Sequence, residues 1–247
     1  MNGARTSVVR IRPLTTPADY AACVELQELI WGAGDDTIPP IMLQVSQHVG
    51  AIAAGAFDAA GRMIGCVFGL TGVRNGRLAH WSHMLAVRPE ARDRGIGRRL
   101  KRHQRSRLLA MGIPTMYWTF DPLVARNAHF NLNRLGATVE EYVPDMYGPA
   151  DASPVDRGIG TDRLVVRWDL GRRTRRRAER PRHEAASAQI EIPRDIHAIR
   201  DLNVHEAFAW RVRTRQEFLG LLRRGYRVRR FHRGSPGEQS FYRLVMP

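Results

Sequence analysis

Two glycines, Gly95 and Gly97, stand among arginines in the segment RDRGIGRRL (Arg92–Leu100), at the start of a predicted helix. Glycine disfavours a helix by about 1 kcal/mol relative to alanine, so a bare backbone there asks for a reason. A helix N-terminus offers unpaired N–H groups and roughly half a positive charge, and glycine lets that backbone approach a pyrophosphate closely. Arg92, Arg94, Arg98 and Arg99 add cationic side chains. The chemistry on offer is anion binding: strand, sharp turn, Gly-x-Gly and helix would cradle a phosphorylated cofactor. The same stretch is compatible with glycines that only make a tight turn. A dinucleotide fingerprint fits poorly, because Leu100 stands where a third glycine belongs and Asp121 is a loose match to the acidic residue expected about 20 positions on.

The elements that must position this turn follow from hydrophobic periodicity. Residues 8–14 alternate as a strand, and 17–32 carry helical apolar spacing at Tyr20, Cys23, Leu26 and Ile30. A second short helix is expected over 40–49, and a hairpin over 50–58 and 63–72. Residues 78–87 form the strand that feeds the glycine turn. Alternation puts Trp81, His83, Leu85 and Val87 on one of its faces and His80 on the other. A basic amphipathic helix then runs to Met111, stopped by Gly112 and Pro114. A strand over 115–121, a helix over 127–136 ended by Gly136, and a strand pair over 138–148 and 162–170 complete a first domain, 1–170. Residues 171–187 hold seven Arg and two Glu and read as a linker or mobile loop. Beyond it, a strand (188–193), a helix (203–225) and a hairpin (226–233 and 239–246) make a β-α-β-β subdomain, 188–247, too small to stand securely alone and expected to dock on the first domain.

The chain has 247 residues, 43% hydrophobic, enough for one large domain with an appendage. No apolar run reaches the roughly 18 residues of a membrane span, and the N-terminus lacks a signal-peptide core, so a soluble cytoplasmic protein is expected. Cys23 and Cys66 sit among apolar neighbours and read as buried hydrophobes in a reducing compartment, with no disulfide and no metal site. The net charge is +15, and the 39 basic residues are 38 Arg and one Lys, Lys101, a bias ascribed to coding pressure from a GC-rich genome. Such a surface attracts anions, nucleic acid or a phosphorylated cofactor. Without an aromatic-studded basic strand or helix-turn-helix pattern, a nucleic-acid-associated protein ranks last.

The segment Met84–Leu100, MLAVRPEARDRGIGRRL, resembles the acetyl-CoA-binding signature of the GNAT superfamily of acyltransferases, with Leu85, Val87, Pro89, Arg92, Gly95 and Gly97 in register. The order of elements from Val8 to about Leu170 matches as well. The resemblance implies an α+β, three-layer α/β/α GNAT fold with a central mixed, mostly antiparallel, splayed sheet, here with the C-terminal β-α-β-β appendage. It implies that backbone near Leu85, Ala86 and Val87 pairs with the pantetheine arm and that N–H groups from Arg92 through Arg94, Gly95, Ile96 and Gly97 to Arg98 hold the pyrophosphate. The reaction implied is direct attack of an amine on the thioester of acetyl-CoA or another short acyl-CoA. His83, four residues before Val87, matches a cleft histidine of some arylalkylamine acyltransferases and is the first candidate base, or else a satisfied core histidine. Asp121 is the second candidate, or else organises the turn before Pro122.

The departures matter too. The family's Asn-x-x-Ala-x-x-x-Tyr-x-x-x-Gly pattern, counted back from Gly136, keeps Ala128 but has Leu132 at the tyrosine that protonates the thiolate and Ala125 at the asparagine. Asn127 and Asn131 become displaced candidates for cofactor amide contacts, and Tyr142 and Tyr147 are not assigned the acid's role. A non-catalytic acyl-CoA-binding or regulatory protein is therefore an alternative. Over nearly its full length the chain resembles a bacterial GNAT subgroup, some members of which are thought to acylate amino acids, with succinyl-CoA as one donor. That makes Arg211 and Arg215, four apart on the tail helix, a candidate carboxylate clamp, or else a solvated basic face. Asp35 and Asp36 would attract a cationic amine or cap the next segment, and Trp81 would line the acceptor site. The acceptor expected is a small-molecule amine or amino acid, and a homodimer is one assembly open to such a chain.

Overall fold

A computed structural model describes residues 8–34, 37–148, 157–171, 186–235 and 238–247, and the chain divides into two compact units, residues 1–116 and 117–247. The first unit holds β1 (Arg10–Pro13), α1 (Pro17–Trp31), α2 (Pro40–Gln47), β2 (Ile52–Phe57), β3 (Met63–Arg74), β4 (Arg77–Val87) and α3 (Ile96–Ala110). Its strands pair antiparallel in sequence order, β1-β2-β3-β4. The β3–β4 hairpin is longer than expected because Asn75 and Gly76, both at positive φ (51° and 72°), make a two-residue turn that matches strand twist.

Local chemistry starts the first helix. The Thr16 hydroxyl accepts from the Asp19 N–H at 3.1 Å, and the Asp19 carboxylate accepts from the Thr16 N–H at 3.2 Å, a capping box. Arg12 forks onto the same carboxylate at 2.7 and 2.8 Å and holds it well below the usual range. On one face of the sheet, Tyr20, Cys23 and Leu26 of α1 and Leu43 of α2 pack with Met63, Cys66, Phe68, Met84 and Ala86. On the other, Ile96 and Leu100 of α3 pack with Ala54, Ala56, Ile64, Val67, Leu85 and Val87. Within this unit the expected α/β/α layering is present.

The second unit holds β5 (Thr115–Phe120, which begins at the boundary), α4 (Ala125–Ala128), a π-helical stretch His129–Leu135, β6 (Thr138–Val143), β7 (Arg163–Asp169), β8 (Ser187–Ile192), α5 (Ile196–Leu202), α6 (Val204–Arg223), β9 (Arg227–His232) and β10 (Ser240–Val245). Within this unit strands β5-β7-β6 are neighbours in that order, and β8-β10-β9 form a separate, antiparallel sheet. The tail has two helices where one was expected. Asp195 caps α5 by accepting from the His197 and Ala198 N–H groups, and Asn203 caps α6 by accepting from His205 and Glu206. Ala207, Arg211, Thr214, Phe218 and Leu221 form the buried stripe of α6. Phe218 stacks on Tyr142 of β6 at 5.2 Å and meets Tyr242 of β10 edge-on at 5.1 Å. Residues on both sides of the boundary expected at 170 thus share one core. Most of the expected linker, residues 172–185, lies outside the described residues. Among the described residues, no helix is long and apolar enough to cross a membrane.

Candidate active site

The end of β4 is anchored before the glycine turn begins. The Arg88 N–H donates to the Ile64 carbonyl at 3.0 Å, its Nε donates to the Met63 carbonyl at 2.9 Å, and its guanidinium pairs with Glu25 of α1. A 3-10 turn, Pro89–Ala91, buries Ala91 against the α3 face. Asp93 and Gly95 then take left-handed backbone, φ 61° and 76°. Gly95 is the N-cap of α3 and no side chain caps the helix. A Cβ at Gly95 would meet no atom within 4 Å, so the backbone faces open space. The first helical hydrogen bond runs from the Arg99 N–H to the Gly95 carbonyl at 3.1 Å. The N–H groups of Ile96, Gly97 and Arg98 therefore precede the ladder and are available to an anion. Ile96 is buried as the anchor, while Arg92, Arg94 and Arg98 are exposed around the turn, with Arg92 Nε donating to the Val87 carbonyl at 3.3 Å. Donor set, dipole and charge all suit a diphosphate.

One expectation for β4 is corrected. Phe68 opposes Met84, but Leu70 opposes Trp81, so β4 has one residue more than β3 in this interval. This bulge breaks the alternation. Leu85 and Val87 pack on the α3 face, whereas the exposed His83 lies edge-on to Phe68 at 6.5 Å, on the α1 face, and so does not share a face with Leu85 and Val87. Trp81 is half-buried under the Arg74 guanidinium, 6.0 Å from its ring. His80 and Ser82 turn toward α3 and join a buried chain that sequence reasoning missed. Lys101 Nζ donates to Ser82 Oγ at 2.8 Å, Ser82 to Gln104 Oε1 at 2.8 Å, and Gln104 Nε2 pairs with His80 Nε2 at 3.0 Å. His80 Nδ1 pairs with Thr71 Oγ1 at 3.1 Å, and Thr71 donates to the Gly50 carbonyl at 2.9 Å. Burial above all pushes His80 down to about 3. The one signal that could have found this chain was the solitary lysine.

In the second unit, Arg211 and Arg215 do lie on one face of α6, but they meet carboxylates of their own unit. Arg211 donates to both oxygens of Asp121, at 2.9 and 2.6 Å, and to the Ile159 carbonyl at 2.8 Å. Asp121 also accepts from the Leu123 N–H at 2.7 Å, the turn-forming role weighed against catalysis. Arg215 donates to Asp162 at 2.8 Å and to Asp145 at 2.9 Å. These contacts put Asp121 and both arginines in buried or half-buried ion pairs in place of a base and an acceptor clamp. Tyr142 donates to Asp162, and burial followed by that carboxylate pushes its phenol well above the ordinary range. Asn131 is buried with its Oδ1 accepting from the Trp118 indole at 2.9 Å, and Asn127 is exposed. The exposed Tyr147 hydroxyl meets Thr119 Oγ1 at 2.9 Å. Asp35 and Asp36 lie outside the described residues.

No family model and no curated protein matches the sequence. Solved structures do match in fold. A protein from Desulfovibrio desulfuricans assigned to the GNAT acetyltransferase family is 16% identical, with 66% of this chain and 99% of that one covered and a TM-score of 0.51. The ribosomal-protein-S18-alanine N-acetyltransferase from Escherichia coli is 17% identical, with 68% and 98% covered and a TM-score of 0.51. An aminoglycoside 6′-N-acetyltransferase complexed with coenzyme A is 15% identical, with 67% and 99% covered and a TM-score of 0.50. The chain has the α+β fold of the GNAT acetyltransferases.

Proposed function

We propose that this chain is an acyl-CoA-dependent N-acyltransferase that moves an acetyl group to the amine of a small molecule or amino acid. The observation that carries the reading is the uncapped N-terminus of α3, opened by left-handed Gly95 directly after β4 in a GNAT fold. Amides of Ile96, Gly97 and Arg98 hold the diphosphate, and Arg92, Arg94 and Arg98 neutralise it. Coenzyme A, when bound, supplies the thioester. His83 takes the proton of the attacking amine, directly or through water, the general-base role open to an imidazole. Arg211 and Arg215, engaged with Asp121, Asp145 and Asp162, lend no support to a succinyl donor.

The test is a thiol-release screen of several acyl-CoAs against amino acids, amines and aminoglycosides. Free thiol with at least one acceptor is expected. His83→Ala should lower turnover about 10²-fold or more with little change in CoA affinity, and a near-normal rate at neutral pH dismisses His83 as base. A second reading has its own observation: Leu132 replaces the family's tyrosine, and the Tyr142 hydroxyl is held by Asp162. A non-catalytic acyl-CoA-binding protein would bind the cofactor and release no thiol across the panel.

A further inference from the structure

The chain uses arginine at 38 positions and lysine at one. Wherever a fixed cation suffices, arginine is present. Lys101 is 2% exposed on the sheet-facing side of α3, and burial drives its ammonium well below the ordinary range. Arginine does not give up its proton, so this position suits an amine in a way that it does not suit a guanidinium.

The direction of the hydrogen-bond chain follows from its far end. The Gly50 carbonyl can only accept, so the single Thr71 proton goes to it. His80 Nδ1 must then donate to Thr71, which leaves Nε2 to accept from the Gln104 amide nitrogen. Gln104 Oε1 accepts from Ser82, and Ser82, its proton committed, accepts from Lys101. Every link is matched, and Ser82 is gripped from two sides by α3.

Ser82 is also where β4 bulges. Gly69 stands opposite both Ser82 and His83, between the pairs Phe68–Met84 and Leu70–Trp81. A Cβ at Gly69 would overlap the His80 ring and lie 2.6 Å from the Trp81 carbonyl oxygen and 2.9 Å from Ser82 Cα, so the facing strand leaves the room that the bulge fills. With Ser82 drawn to α3, His83 and Met84 both turn to the Phe68 face, and Leu85 regains the α3 face. Plain alternation would set His83 with Leu85 and Val87 against α3.

We propose that Ser82, held by Lys101 and Gln104, is the positioning residue that sets the β4 bulge and turns His83 onto the Phe68 face. The inference rests on His83 as base for its consequence in turnover, but not for its geometry. The full-length chain is compared with Lys101→Met, Ser82→Ala and Ser82→Thr by NMR of the His83 and Phe68 rings, thermal melting, and kinetics. Lys101→Met should hold or raise the melting temperature, because folding no longer has to bury an amine that is an ammonium in the unfolded chain at neutral pH. It should nevertheless lose the ring-to-ring nuclear Overhauser effect and lower kcat about tenfold, with KM for acyl-CoA within about twofold. Ser82→Ala should do more, and Ser82→Thr, which keeps the hydroxyl, should restore both readouts. An intact ring contact in Lys101→Met, or in Ser82→Ala where it folds, overturns the proposal. If the native chain releases no thiol, the acyltransferase reading fails while the ring contact still decides the positioning role.

Discussion

In the first unit Lys101, Ser82, Gln104, His80 and Thr71 pass hydrogen bonds along a line with no carboxylate among the five; in the second, Arg211 and Arg215 meet Asp121, Asp145 and Asp162 as ion pairs. Both arrangements bury polar side chains, which is tolerable only when each is matched. The line holds no carboxylate, and its direction is fixed from the Gly50 carbonyl, which can only accept. The ion pairs hold distant segments together, α6 against the residues after β5 and β6, and depend on both partners being present. Aiming a side chain and welding a core are separate tasks, and the chain handles them with different chemistry.

The largest expected effect breaks the ionic side of this contrast. Arg211→Ala should destabilise the second unit by about 3–5 kcal/mol in chemical denaturation, because Asp121 is left charged and buried. Arg211→Met with Asp121→Leu should recover most of that loss. Acid should act next, and on the first unit first. The folded His80 sits at about 3 against an ordinary 6.5, so the unfolded state gains a proton that the folded state refuses. Stability should therefore fall as pH drops from 6.5 toward about 3, by up to about 1.4 kcal/mol per pH unit. Asp162 behaves otherwise: burial resists its ionisation, but hydrogen bonds from Arg215 and Tyr142 outweigh this and hold it below 3.8. Its contribution is fully present above pH 3.8 and is lost as the pH falls from there through the folded value. Hydrogen exchange at pH 5 should loosen β3, β4 and α3 before α6; simultaneous loosening would erase the contrast. Gly69→Ala should cost about 1–3 kcal/mol by pressing on the bulge, and an unchanged melting temperature would show that the bulge yields freely. Smallest of all is Lys101→Met, for which no loss of stability is expected.

The glycine turn was legible because its requirement is local. Left-handed backbone and an uncapped helix start restrict residue type at Gly95, and the restriction shows in a single sequence. The α6 stripe was legible for the same reason, through its period. The bulge was not, since an extra residue in β4 carries no signature on its own strand; only Gly69, across the ladder, marks it. His83 was accordingly placed on the wrong face. The Arg211 and Arg215 partners were also hidden, because Asp121, Asp145 and Asp162 are 50 to 90 residues away in the chain. The break between α5 and α6 was missed at Asn203, which ends one helix and caps the next.

The central claim, that main-chain amides opening α3 grip the diphosphate of coenzyme A, is tested most directly by titrating ¹⁵N-labelled protein with coenzyme A. The largest amide shifts should fall on Ile96, Gly97 and Arg98, and a bulky side chain at Gly97 should abolish them along with most of the affinity. Tight binding that leaves those three amides unmoved, or no binding at all, would contradict the account.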